Sequence, residues 1–373
     1  MKLSATKQNL QQGLSIISRA TGNAATLPIL ANVLLETEKG RLRLSATDLE
    51  IGVITYVGAK VETDGALTVP ARTIVDFVST NTDETLTLST DQDKLTTLSA
   101  SFKAEIPGIK ATEYPSIPVI ESGQTISVSS DELLTALKSV TVAAAVDEAR
   151  PALAGVLLKG NETKQLSVVA TDSFRLAEYI IDLSEEVAKL NIIVPTRAVH
   201  ELVRILGVTG EQGLVTIVAS NNQVYFKMGD TELVTRLIEA SYPEYKKVMP
   251  TSFVTEVVVA SEEIANALRM AAIFTTNSAN NVHLKVEDQE VRITTVASQY
   301  GQEVTALNAE VMHHGEEKTL DIAFNTRYLL DAVNAAAGSK IVIKFSGSAS
   351  PAVVVNPDLS TYQHIVMPIR VNG

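Results

Sequence analysis

The residues most suggestive of chemistry stand in "VVATDSFRLAEY", residues 168 to 179. Thr171, Asp172, Ser173, Phe174 and Arg175 crowd there between two apolar runs. As an active site, the cluster would use Asp172 as general base and Arg175 as anion clamp. General acid–base work also needs a group that receives or relays the proton, and no His or paired carboxylate travels with the motif. A hydrolase built on Asp172 or Glu178 would further lack a nucleophile–base pair, a Gly-rich phosphate loop and a metal set. The five His are scattered at 200, 283, 313, 314 and 364. The adjacent His313 and His314 sit in the turn-like "VMHHGEEK" without helical i, i+4 spacing, so no metal site is expected. With no Cys at all, disulfides, thiolate-held metal and thiol nucleophiles are excluded, as suits a reducing cytoplasm. The cluster then either closes a turn or walls a docking site.

A sister motif separates these two roles. "ATDLEIGV" (46 to 53) keeps Thr47 and Asp48 but has no Arg. Asp48 and Asp172 therefore read as turn-closing residues, bonding side chain to backbone after a strand. Ser173, Phe174, Arg175 and Leu176 belong to the later copy alone and invite a functional reading.

The elements that position the motif recur about every 125 residues. "TVPARTIVDFVS" (68 to 79) returns as "IVPTRAVHELVRIL" (193 to 206) and "AFNTRYLLDAVNAA" (323 to 336). Each is a strand end, then Pro or Asn, a small residue, Arg, and an amphipathic helix; Pro70 and Pro195 stand where a helix tolerates proline. "ITTVASQYGQEV" (293 to 304) holds the place of the Ala-Thr-Asp motif in the last third. "SATKQNLQQGLSIISRA", "SSDELLTALKSVTVAAA" and "ASEEIANALRMAAIF" open the three segments, each with a Ser that could cap the helix. Strand-like runs that alternate or cluster β-branched residues, such as "GRLRLSAT", "GLVTIVAS" and "KIVIKF", fill the space between. Each third is thus an α+β unit of two helices and about eight strands. At 373 residues two or three domains are expected, and the repeat favours three. Their sheets would have one exposed face unless strands continue between units. Triplicated units suit a curved array that closes into a ring or wraps a partner, more than an enzyme.

Charge constrains the partner. The net charge of −12 argues against gripping nucleic acid by phosphate neutralisation alone. Residues 1 to 35, however, contain Lys2, Lys7 and Arg19 and no acid, which leaves room for a locally positive face. No apolar run approaches the ~20 residues of a membrane span, so no membrane partner is expected. The opening "MKLSATKQNL" does not read as a signal peptide.

Eight stretches in order, "ATLPILANVLLE", "ATDLE", "VPAR", "ATDSFRLAE", "VPTRAVHELVRIL", "YPEYKKVMP", "FNTRYLLDAV" and "IVMPIR", resemble the bacterial DNA polymerase III β sliding-clamp family. The resemblance runs from about residue 1 to 371. It implies an α+β chain of three tandem clamp-fold repeats, 1–122, 123–250 and 251–373, with helices lining a ring and antiparallel sheets outside. It implies a head-to-tail homodimer encircling double-stranded DNA irrespective of sequence, opened by an ATP-driven clamp loader, in the bacterial cytoplasm on replicating DNA. The replicative DNA polymerase and other replication and repair proteins would dock through short peptides, and the chain would be no enzyme and need no cofactor or metal. An alternative is a non-catalytic peptide-binding scaffold that does not encircle DNA.

The family's residues carry over as follows. The peptide groove would comprise Arg150, Leu153, Thr171, Ser173, Phe174, Arg175, Leu176, Pro243, Lys247, Val248, Asn325, Tyr328, Val366, Met367, Pro368, Ile369 and Arg370. Met suits such a pocket because it re-packs around different guests, and the arginines can take carbonyls or carboxylates at its rim. Lys7 and Arg19 on the first helix, with Arg72, Arg197 and Arg204 on second helices, would face DNA. Phe102 and Ile106 on an edge strand would meet Ile273 and Phe274 across the dimer. Three departures from the family stand out: Phe174 where His is frequent, Ala279 where an aromatic is frequent, and Asn23 with Ala24 where a basic residue often precedes "TLPIL".

Overall fold

A computed structural model describes residues 1–369 apart from 23–26, 119, 121, 148, 188, 211–212, 276–279, 296–300 and 316–317. The first repeat contains β1 (Lys2–Thr6), α1 (Lys7–Ile17), β2 (Asn32–Glu38), β3 (Arg41–Thr47), β4 (Ile51–Val57) and β5 (Lys60–Thr63). It continues with β6 (Ala66–Pro70), α2 (Ala71–Thr80), β7 (Thr85–Asp91), β8 (Lys94–Leu98) and β9 (Lys103–Pro107). The second holds β10 (Gln124–Ser129), α3 (Ser130–Thr141), β11 (Gly155–Gly160), β12 (Thr163–Thr171) and β13 (Arg175–Val187). β14 (Leu190–Pro195), α4 (Thr196–Thr209), β15 (Leu214–Ala219), β16 (Gln223–Met228) and β17 (Thr231–Arg236) complete it. The third runs β18 (Thr255–Ala260), α5 (Ser261–Thr275), β19 (Asn281–Glu287), β20 (Glu290–Thr295), β21 (Val304–Asn308) and β22 (Glu310–His313). It ends with β23 (Leu320–Asn325), α6 (Thr326–Ala336), β24 (Lys340–Phe345), β25 (Ala352–Asn356) and β26 (Leu359–Val366).

The helices form where the sequence places an apolar stripe behind a capping group. In α1, Leu10, Leu14 and Ile17 are buried at helical spacing. The cap is Thr6, whose hydroxyl accepts from the Asn9 amide. Ser4, expected to cap, instead lies in β1 with its hydroxyl against Thr87. Gly13 lets α1 approach the sheet, because a Cβ there would collide with Val57 and Leu44. In α6 the Asn325 side chain accepts from the Arg327 and Tyr328 amides.

Strands do continue between repeats. β17 of the second pairs with β4 of the first, Leu233 opposite Val53, within the eight-stranded sheet β10-β15-β16-β17-β4-β3-β2-β6. β26 of the third pairs with β13 of the second, Leu176 opposite Ile365, within the nine-stranded sheet β14-β11-β12-β13-β26-β25-β24-β18-β22. A five-stranded sheet β5-β1-β7-β8-β9 and a four-stranded sheet β21-β20-β19-β23 hold the remaining strands. Contacts accordingly divide the chain into two compact units, 1–134 with 197–237, and 135–196 with 238–373. All sheet joints lie inside a unit.

In both units a Tyr-Pro sequence pins the segment that leaves a joint. Tyr114 accepts from the Thr47 amide and donates to the Asn32 carbonyl; burial pushes its pKa up to about 12. Tyr242 donates to the Val169 carbonyl. Tyr245 then enters a core cluster with Leu157, Val169, Leu176, Ile193, Val353 and Ile365.

His364 on β26 is fully buried, with Nδ1 hydrogen-bonded to the Tyr362 hydroxyl at 2.9 Å. Burial, and secondarily the Arg175 charge, push its pKa down to about 3. The folded chain therefore keeps the ring neutral at a pH where an unfolded one, titrating near 6.5, takes up a proton. Stability is unaffected above that value and falls as pH drops below it, by up to about 1.4 kcal/mol per pH unit. The urea midpoint should fall between about pH 7 and pH 5, and His364→Leu should flatten that fall. Equal pH dependence in both proteins would count against the assignment.

Candidate functional site

The Thr-Asp motif builds the same turn twice. Asp48 Oδ1 accepts from the Glu50 and Ile51 amides at 3.0 and 2.8 Å. Asp172 Oδ1 accepts from the Phe174 and Arg175 amides, both at 2.9 Å. The Thr47 and Thr171 hydroxyls donate to the carbonyls of Ile51 and Arg175. Leu49 and Ser173, at the tips, have φ of 79° and 80°, an unusual backbone for a side chain with Cβ. Both aspartates are structural.

What differs is the tip. In the later copy Arg175 lies between three groups: Nε bonds Asp172 at 3.0 Å, Nη1 pairs with Asp331 of α6, and the guanidinium stacks 4.4 Å over Tyr328. Phe174 is 60% exposed and stacks on the other aromatic, Tyr328, at 6.3 Å between centroids. Arg150 donates to the Ser173 hydroxyl at 2.9 Å. The chain's end joins the same place, since Met367 N–H reaches the Phe174 carbonyl and Ile369 N–H the Ala323 carbonyl. Phe174, Tyr328 and the 41% exposed Met367 thus gather beside arginines. Such a surface combines aromatic and flexible apolar contacts with directional donors, and suits a peptide.

Other groove candidates form the support. Leu153, Thr171, Leu176 and Val366 are buried, and Asn325 is a helix cap. Pro368 and Ile369 are half-buried, whereas Arg370, Ala279, Asn23 and Ala24 lie outside the described residues. Pro243, Lys247 and Val248 ride on the segment fixed by Tyr242 and Tyr245; Val248 is exposed. That segment is held by Glu178, which is only 1% exposed. Its carboxylate accepts from the Tyr245 hydroxyl at 2.7 Å and Gln363 Nε2 at 2.9 Å, and pairs with Lys246 at 3.3 Å. Burial, then the bond to Glu178, push the Tyr245 pKa up.

Comparison with known proteins agrees along the whole length. Models of the N-terminal, central and C-terminal domains of the DNA polymerase III beta subunit match residues 1–118, 127–244 and 246–370. The beta sliding clamp of Synechococcus elongatus is 32% identical over 100% of both chains, and that of Synechocystis sp. 30% over 99% of both. The crystal structure of the DNA polymerase III beta subunit of Thermotoga maritima superposes with a TM-score of 0.91 at 30% identity, covering 99% of each chain. A Bartonella birtlesii DnaN sliding clamp bound to griselimycin gives 0.91 at 25% identity over 100% of both. The chain belongs to the DNA polymerase III beta subunit family.

For a beta-subunit chain the basic residues need separate placement. Lys7 is half-buried at the start of α1, and Arg19 and Arg72 are exposed. Arg197 remains accessible but pairs with Asp48 and Glu50. Arg204 is a correction. Its guanidinium binds the carboxylate of Glu201 and the carbonyls of Ser15 and Ile16 at the end of α1. It clasps α4 to α1 and offers little to a phosphate.

Among the expected interface residues, Ile273 is 63% exposed and Phe102 is exposed in the turn before β9. Phe274 is half-buried. Ile106 is a second correction: at 3% exposure it faces the core, because strand alternation turns Glu105 and Pro107 outward instead. Sequence reasoning missed Leu98, exposed at the end of β8, and the supporting carboxylates Glu178 and Asp331. A signal for Asp331 existed: an acid stands at the same place in all three second helices, as Asp76, Glu201 and Asp331.

Asp172→Ala removes the acceptor of two amides and of Arg175 Nε. It should lower stability by ~1–3 kcal/mol, read by urea denaturation; an unchanged midpoint would show that the turn stands without it. Arg204→Met should destabilise by roughly 3 kcal/mol while leaving the salt dependence of DNA retention unaltered. A reduced salt slope would return Arg204 to the DNA-facing set.

Proposed function

We propose that the chain is a non-catalytic DNA sliding clamp, two copies of which close a head-to-tail ring around duplex DNA. The observation that carries this reading is the pair of sheet joints. β4 receives β17, and β13 receives β26. By repeat equivalence a third joint would bring β9 to β21, and each of these strands ends its own sheet. An open edge of this kind is a template for another strand. Pairing β9 of one copy with β21 of the other uses a heterologous contact twice and closes the array. Exposed Leu98 and Phe102 flank one edge; Val304 and, on α5, Ile273 flank the other. Phe274 belongs with them.

Topological closure reconciles an acidic protein with a polyanionic partner. A ring needs only weak, sequence-blind phosphate contacts, because each tight ion pair adds affinity and salt dependence. Lys7, Arg19, Arg72 and Arg197 are the contacts proposed. Arg197 is tempered by the two carboxylates it already faces.

The Phe174–Tyr328–Met367 groove would take short peptides of the replicative polymerase and of other replication and repair proteins, and would accept griselimycin. An ATP-driven clamp loader would open the ring, in the cytoplasm, on replicating DNA.

Sedimentation should give about twice the chain mass of 39.9 kDa, and Ile273→Asp with Phe274→Asp should give monomers. The protein should stay on nicked circular DNA after loading and slip off once the circle is cut. Equal loss from circles and linear DNA would sink the clamp and leave a peptide-binding scaffold.

A further inference from the structure

A carboxylate buried as deeply as that of Glu178, 1% exposed on β13, is unfavourable unless its oxygens are occupied. Both are, and by different pieces of chain. Oε1 accepts from the Tyr245 hydroxyl at 2.7 Å and faces the Lys246 ammonium at 3.3 Å. Oε2 accepts from Gln363 Nε2 at 2.9 Å. One oxygen therefore holds the 245–248 segment and the other holds β26.

These two pieces carry opposite walls of the proposed groove. Tyr245 and Lys246 lead into Lys247 and the exposed Val248. Gln363, directly opposite Glu178 in the β13–β26 ladder, leads into Val366 and Met367. β13 itself starts at Arg175. The Tyr245 ring packs in one cluster with Leu176 and Ile365, so the support of the groove and the anchor of the 245–248 segment share side chains. Lys246 is exposed and can exchange the carboxylate for water at little free-energy difference. The Tyr245 hydroxyl has no such recourse, since Tyr245 is buried.

We propose that Glu178 is a positioning residue for peptide binding. It touches no ligand; by bonding both pieces it fixes the spacing of Val248 and Met367 across the groove. The inference rests on the groove reading above and deepens it. A ligand that contacts both walls binds more tightly when they are held beforehand, because ordering them on binding costs affinity.

Griselimycin, titrated calorimetrically into the full chain, tests this. Glu178→Ala strips the buried acceptor from Tyr245 and Gln363 and should weaken binding about tenfold, the order expected for a lost buried hydrogen bond. Glu178→Gln should restore the affinity to within about threefold. Its carbonyl accepts from Tyr245, and its NH2 donates to the Gln363 side-chain carbonyl once that amide turns over. Should Glu178→Ala fail to fold, Tyr245→Phe cuts the Oε1 bond alone and should weaken binding about threefold. Glu201→Ala removes the acceptor of Arg204 in the other contact unit; it should lower the urea midpoint and leave griselimycin binding unchanged. Wild-type affinity in Glu178→Ala or Tyr245→Phe would overturn the proposal, because the carboxylate would then be structural only. So would an equal loss in Glu178→Gln and Glu178→Ala, or weakened binding by Glu201→Ala. Failure of the groove reading is distinguishable: griselimycin would not bind the wild type, or would bind Phe174→Asp equally well.

Discussion

Backbone hydrogen bonding at strand edges governs this molecule. A strand with an unpaired edge exposes a row of donors and acceptors that seek a partner, and each clamp repeat has such an edge at either end. β17 with β4, and β26 with β13, satisfy two of these pairs inside the chain. The sheets therefore outrun the repeats that compose them. The Tyr-Pro segments, the buried Glu178 and the joint-flanking turns all attach to these seams, so the positions of candidate binding residues follow from how the seams are made.

The two seams share a turn and diverge in what it presents. Asp48 and Asp172 accept equivalent amides, and Leu49 and Ser173 take the same left-handed backbone. At the first seam the next helix meets the turn with Arg197, which neutralises Asp48 and Glu50. At the second the polarity is exchanged: the turn supplies Arg175 and the helix supplies Asp331. Pairing with Asp331 and Asp172 holds the Arg175 guanidinium over Tyr328, and Phe174 is left on the surface. A difference of a few residues thus converts a closed ion-paired seam into one with an exposed aromatic face.

Much of this was legible in the sequence. Period, two helices per repeat and the structural role of Asp172 were readable, because helix stripes and turn-closing aspartates act locally. Ile106 was misjudged because the phase of a short strand cannot be fixed without its neighbours. Arg204 was misjudged because a helical Arg looks solvent-facing until another helix end presents free carbonyls to it. The sequence offers Glu178 only as a candidate hydrolase carboxylate and not as an anchor; only the fold brings Tyr245, Gln363 and Lys246 to it. The eight- and nine-stranded sheets lay beyond reach because nothing local encodes which edge a strand will join.

The division of contacts into two units has a bearing on how the molecule breathes. Amide protons exchange through openings of contiguous cooperative blocks, and the two contact units, each holding one seam, divide the middle repeat between them. Half of that repeat should protect its amides in step with the first repeat and half in step with the third. The sequence repeats in thirds, and its contacts gather in halves.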